Sequence, residues 1–318
     1  MAAGVSRLKV GLAFGAIYLF WGSTFLANRF ALDALPPLLL AGARHFTAGV
    51  LLYAFARLRG APRPQARYWP TAALIGGLML VLGNGGVVFS QEYVPSGIAA
   101  VLIAMVPLWM VGLDWIWKGS GRPAPRVLGG VALGLVGIGV LAGPGSLGGR
   151  IDPVGLEILL VSGLCWATGS LLSRDAKLPA GLIGVAMEML CGGTILLAAS
   201  AVHGGMRGLR VEAVTRASLL GLGYLIVFGS LAGFTAYNWL LAHVPAAKAA
   251  TYAYVNPVIA VGLGFVVFGE PLTPRLLIAS AVILCWVVLI TTSPRTPELP
   301  AEKLGAPGAA LQARESES

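Results

Sequence analysis

Charge is scarce in this chain. Of 318 residues, 11% are Asp, Glu, Lys or Arg, and only 13 are acidic. Soluble domains carry roughly 25% charged residues, so this chain lacks the means to cover a large surface facing water. Histidine is scarcer still. His45, His203 and His243 are too scattered for a metal set or a nucleophile–base arrangement. Cysteine is nearly missing. Cys165, Cys191 and Cys285 fall in different apolar runs and match no metal or redox spacing, so they read as small packing residues. No glycine-rich ATP loop is present, which removes direct ATP drive. An integral-membrane enzyme would need His, Asp or Ser gathered at one membrane face, and no such cluster is visible. Neither a cofactor nor a metal is expected.

What is abundant is apolar length. The chain is 57% hydrophobic, with mean hydropathy +0.83. Ten runs are long enough to cross a bilayer as helices: roughly 8–28, 37–56, 70–91, 96–117, 127–143, 154–173, 180–201, 217–240, 246–268 and 275–293. The connections are short. The segment 294–318, rich in Pro, Ala, Glu and Ser, reads as a disordered cytoplasmic tail. The net charge of +9 is not a nucleic-acid signal. Its cations gather in alternate loops, among them Arg57, Arg59, Arg63 and Arg67, then Lys118, Arg122 and Arg126, then Arg174 and Lys177. That is the positive-inside pattern, and it puts both termini in the cytoplasm. The outer loop with Arg207, Arg210 and Arg216 fits it worst. The first run sits where a signal peptide would, but Trp21 in it has a counterpart, Trp166, so the run is read as retained.

That counterpart belongs to a duplication. VPSGIAAVLIAMVP, from Val94 to Pro107, recurs at the same proline spacing as VPAAKAATYAYVNP, from Val244 to Pro257. Trp21-Gly22-Ser23 matches Trp166-Ala167-Thr168, Leu35-Pro36 matches Leu178-Pro179, and Pro125-Arg126 matches Pro274-Arg275. Each half, 1–146 and 147–293, therefore holds five spans. An odd number inserts the second half upside down, giving two inverted five-helix repeats in an all-α integral membrane fold. Pro107 and Pro257 each remove a mid-helix N–H and loosen the carbonyl four residues back, Ile103 and Ala253. Paired interrupted helices point to a transporter's central site.

Trp-Gly-Ser-Thr-Phe at 21–25, Arg44-His45-Phe46, Gly83-Asn84-Gly85-Gly86, Val94 to Ala100 and Thr251 to Val258 together resemble EamA-type members of the drug/metabolite transporter superfamily, and in particular its YedA-like branch of inner-membrane exporters. The likeness runs from about residue 10 to 293. It implies a multi-pass protein of the bacterial cytoplasmic membrane with ten spans, a central cavity for small solutes, and membrane lipid as its surroundings. Many members of the wider family export amino acids, metabolites or amphipathic compounds. Lys248 stands where that branch commonly has an apolar residue.

The candidate solute-binding residues are Trp21, Asn84, Trp166, Lys248, Tyr252 and Asn256. Lys248, Tyr252 and Asn256 lie at i, i+4 and i+8 and form one polar stripe, whereas Ile98, Leu102 and Val106 form a wholly apolar one. Polar contacts are therefore expected from the second half. Lys248 at a helix N-terminus either attracts a carboxylate or snorkels to headgroups. Asn256 either repairs the kink or meets the solute. Arg44 and Glu188, mid-depth in matched spans, each need a protein partner, because a lone charge there costs at least ~2.5–3.5 kcal/mol. If they meet, their pair is a gate or a structural tie, and Glu188 is also the carboxyl available for proton coupling. Asp114 and Lys118 read as a structural i, i+4 pair. Gly130-xxx-Gly134 and Gly229-xxx-Gly233 serve either internal packing or a homodimer. The expected function is secondary transport, outward, of small amino-acid-like or amphipathic metabolites. An importer and a non-transporting sensor or scaffold are the alternatives.

Overall fold

In hydrocarbon every backbone N–H and C=O must be satisfied within the chain, which favours long unbroken helices. The computed structural model describes residues 6–90, 93, 102–118, 123, 125–147, 152–205, 209, 212, 214–268, 274 and 277–282, and every regular element among them is helical. In chain order these are α1 (Arg7–Leu32), α2 (Pro37–Leu58), α3 (Ala66–Ser90), α4 (Val106–Lys118), α5 (Pro125–Leu147), α6 (Pro153–Asp175), α7 (Leu182–Val202), α8 (Arg216–His243) and α9 (Tyr252–Phe268). Seven are long and apolar enough to cross a membrane: α1, α2, α3, α6, α7, α8 and the stretch Ala246–Val267. The repeated phrase at Val94–Ala100, most of the tenth expected span and the tail fall outside the described residues.

Local chemistry sets the helix ends. Pro37 and Pro153 open α2 and α6, where a missing N–H costs nothing. The Asp152 carboxylate accepts from Val154 N–H at 2.9 Å. Thr215 and Ser218 cap each other at the start of α8. Gly60 and Gly204, at φ 89° and 73°, turn the chain just beyond α2 and α7.

Three antiparallel contacts bring the halves together. On α2 and α7, Gly42 meets Leu197 and Gly49 meets Leu190, so residue numbers rise on one helix as they fall on the other. A Cβ on Gly49 would lie 2.8 Å from the Leu190 backbone nitrogen, so the two backbones touch. α1 lies along α8 in the same sense, Thr24 beside Gly229 and Ala27 beside Gly221. α3 lies along α6, Gly86 beside Ser162 and Met79 beside Gly169. Both α3 and α8 widen midway into π-helical segments, Gly77–Gly85 and Leu225–Phe234. Such widening leaves backbone groups off the regular ladder and recurs at functional sites.

Candidate functional site

The two tryptophans of the repeat meet at the centre. Trp21 comes from α1 and Trp166 from α6, with ring centroids 5.7 Å apart, nearly edge to face. Each rests on a glycine of the widened helix beside it. A Cβ on Gly83 would lie 3.1 Å from Trp166 Cε3, and one on Gly233 would strike the Trp21 indole. The π-helical segment of α8 presents the Gly229 carbonyl, and Trp21 Nε1–H donates to it at 2.9 Å. Tyr237 and Tyr252 complete the cluster, 5.1 Å and 4.7 Å from the Trp21 ring. Trp166 Nε1–H donates to the Tyr237 hydroxyl at 3.3 Å, and Ser170 lies 2.9 Å from the same oxygen. These partners fix the rings as a packed floor.

Above that floor is a cavity of about 90 Å³. Trp21, Trp166, Phe234 and Leu80 form its apolar walls, and Thr24, Asn28, Arg44, His45 and Asn84 its polar side. The polar side belongs wholly to the first half. This reverses the expectation that polar contacts come from the second half, because the polar faces of α1, α2 and α3 converge here. The volume is below the ~300–1,000 Å³ of common small-molecule pockets.

His45 spans the halves. Its Nε2 lies 3.4 Å from Asn84 Oδ1 and its Nδ1 lies 3.3 Å from Ser230 Oγ. A neutral ring satisfies both, with Nε2–H donating to the amide oxygen and the serine hydroxyl donating to Nδ1. Neither His45 nor Ser230 was expected as a site residue from sequence. The available signal was the histidine's place beside Arg44 in the middle of an apolar run.

Arg44 and Glu188 do not meet. The register of α2 on α7 puts Arg44 level with Ile195. Glu188 lies seven residues further along α7, roughly 10 Å of helix. The Glu188 Oε1 instead accepts from the Ser173 hydroxyl at 2.9 Å, and Ser173 also lies 2.9 Å from Asn238 Oδ1. Glu188 Oε2 is buried with no hydrogen-bond partner. Arg44 is 5% exposed, its Nε is unpartnered, and among the described residues no carboxylate lies within ion-pair distance of it.

The remaining predicted residues lie around the cavity. Tyr252 belongs to the aromatic floor, immediately after a break at Ala250–Thr251, where the Tyr18 hydroxyl meets Thr251 Oγ1 at 2.7 Å. Lys248 and Asn256 do not line the cavity. Asn256 is buried, with Oδ1 unpartnered. Pro257 lies inside α9 as expected. Pro107 does not: it is the second residue of α4, behind a turn at Ala104–Met105, where it needs no N–H partner. Asp114 reaches across to Arg174 at 3.6 Å, an ion pair between α4 and α6, and the side chain of its expected helix partner Lys118 lies outside the described residues.

A bundle of apolar helices, seven of them long enough to cross a bilayer among the described residues, has the architecture of a polytopic membrane protein. The model of the EamA-like transporter family matches residues 9–143 and again 154–292, and the chain belongs to that family. It is 41% identical over 278 residues to the uncharacterized inner membrane transporter YedA of Escherichia coli (strain K12), covering 87% of this chain and 88% of that one. The probable terminal-alkyne amino-acid exporter of Streptantibioticus cattleyicolor is 30% identical over 280 residues, 85% of this chain and 89% of that one. A crystal structure 20% identical in sequence superimposes with a TM-score of 0.75, covering 98% of this chain and 100% of the other. At that identity the likeness concerns the fold alone. The protein is a membrane transporter, not an enzyme.

Proposed function

We propose that the chain is a secondary exporter of small metabolites that works by alternating access between two inverted five-helix repeats, 1–146 and 147–293, in the bacterial inner membrane. Ten spans and cytoplasmic termini complete this reading. The observation that carries it is the cavity itself, which lies where α1, α2 and α3 of the first half meet α6 and α8 of the second. Repacking of one half on the other changes its walls and its exits together. The antiparallel pairing of α1 with α8 and α3 with α6 supports the inverted arrangement, and so does the double match of the family model. Outward transport of amino-acid-like compounds rests on the name borne by the Streptantibioticus relative. Solute contacts fall to Trp21, Trp166, Asn84 and Arg44, with Tyr252 in the floor and Pro257 shaping α9.

The test is counterflow. Proteoliposomes preloaded with unlabelled 2-aminobutyrate should accumulate the labelled compound transiently, and liposomes without protein should not. Equal traces for the two, repeated across a panel of small metabolites, would leave the chain a non-transporting membrane protein.

A further inference from the structure

We infer that the cavity recognises a carboxylate and that Arg44 is the residue that binds it, so the solute is a small organic mono-anion or zwitterion rather than an amphipathic cation. The inference rests on the transporter reading for its biological meaning, but binding can be measured without transport.

Three observations carry it. First, Arg44 lines the cavity at 5% exposure with an unpartnered Nε and no carboxylate within ion-pair distance among the described residues. A guanidinium is ionised at any ordinary pH and has planar geometry matched to two carboxylate oxygens. Left alone in a low-dielectric interior it is costly, so the structure contains one half of an ion pair and no other half. Second, the register between α2 and α7 keeps Glu188 roughly 10 Å away along the helix, engaged with Ser173. The obvious internal partner is thereby excluded. Third, among the described residues no Asp or Glu lines the cavity, so none of them would hold an ammonium there by charge. The remaining polar groups suit a mono-anion. Asn84 and His45 are neutral and already bonded to each other. The Asn28 Oδ1, buried and unpartnered at the same cavity, can accept from an amino group when the solute has one. Trp21, Trp166, Phe234 and Leu80 leave an apolar surround for a short side chain.

The probes are butyrate, butylamine and 2-aminobutyrate, matched in carbon number, added at equal ionic strength to the purified full-length protein. Ligand binding raises the melting temperature by mass action. Butyrate and 2-aminobutyrate are expected to raise it and butylamine to leave it unchanged. Arg44→Gln should weaken the butyrate response at least about tenfold, and Arg44→Lys should retain part of it. The comparison of acid with amine needs no variant, so a folding failure of Arg44→Gln leaves the test standing. Butylamine binding as well as butyrate, absence of binding by either acid, or an Arg44→Gln response within about twofold of wild type would each overturn the assignment. Counterflow separates the two proposals. Carriage of an amine with no acid binding sinks the role of Arg44 and keeps transport. Acid binding without any counterflow keeps Arg44 and sinks transport.

Discussion

At the scale of single residues, the interior holds three polar centres with different tasks. His45 joins Asn84 of one half to Ser230 of the other. His45→Ala leaves both partners without it, at a cost of about 1–3 kcal/mol, and should lower the melting temperature by several degrees in a thermal scan. Gly233 is held to hydrogen by the Trp21 indole. Gly233→Ala pushes that ring off its bond to the Gly229 carbonyl. Overpacking of this kind costs about 1–3 kcal/mol, and a red-shifted tryptophan emission should report water reaching the ring. Glu188 has one satisfied oxygen and one orphan, the state of a carboxyl that can gain or lose a proton without breaking an ion pair. Glu188→Gln is expected to fold normally and to abolish uptake driven by an imposed pH gradient while sparing counterflow. Unchanged gradient-driven flux would remove Glu188 from coupling.

At the scale of helices, the α2–α7 crossing is the tightest part of the interface between the halves. Glycines on both helices let the backbones touch, and a Cβ on Gly193 would strike the Phe46 backbone. Gly193→Leu should therefore abolish a monodisperse peak in size-exclusion chromatography, while Gly129→Leu, with open space at its Cβ position, should not. The helices themselves were legible in sequence, since an apolar run long enough to span needs only composition. Among the described residues, seven of the ten expected runs reappear as helices long and apolar enough to cross, three of them opened by Pro37, Pro153 and Thr215. The site was only half legible. Trp21 and Trp166 announced themselves by repeat position, Asn84 by its place in Gly83-Asn84-Gly85-Gly86, and Arg44 by its charge at mid-depth. Which faces converge was hidden, because these helices are apolar nearly all round and their periodicity marks no inner side. The stripe of Lys248, Tyr252 and Asn256 assumed one continuous helix, but the break at Ala250–Thr251 separates Lys248 from α9, and Tyr252 turns toward Trp21. The failed pairing of Arg44 with Glu188 has the same origin, since interhelical register is not written in either helix.

At the scale of the whole molecule, the Asp114–Arg174 ion pair ties the far ends of α4 and α6, one from each half, at 27% and 35% exposure. A pair this wet contributes about 0–1 kcal/mol, enough to shift a two-state equilibrium by up to about fivefold. Asp114→Asn should raise the labelling rate of a cysteine placed at Ser170 by up to that factor, and the charge swap Asp114→Arg with Arg174→Asp should restore it. A rate unmoved by Asp114→Asn would mean that this pair does not bias access.

The crossed contacts, α1 on α8 and α6 on α3, also constrain assembly. Each tryptophan rests on a glycine of the other half: Trp21 on Gly233 and Trp166 on Gly83. A half-length chain made alone lacks the glycine on which its own indole rests. Expressed as two separate chains in one cell, the halves should find each other and copurify.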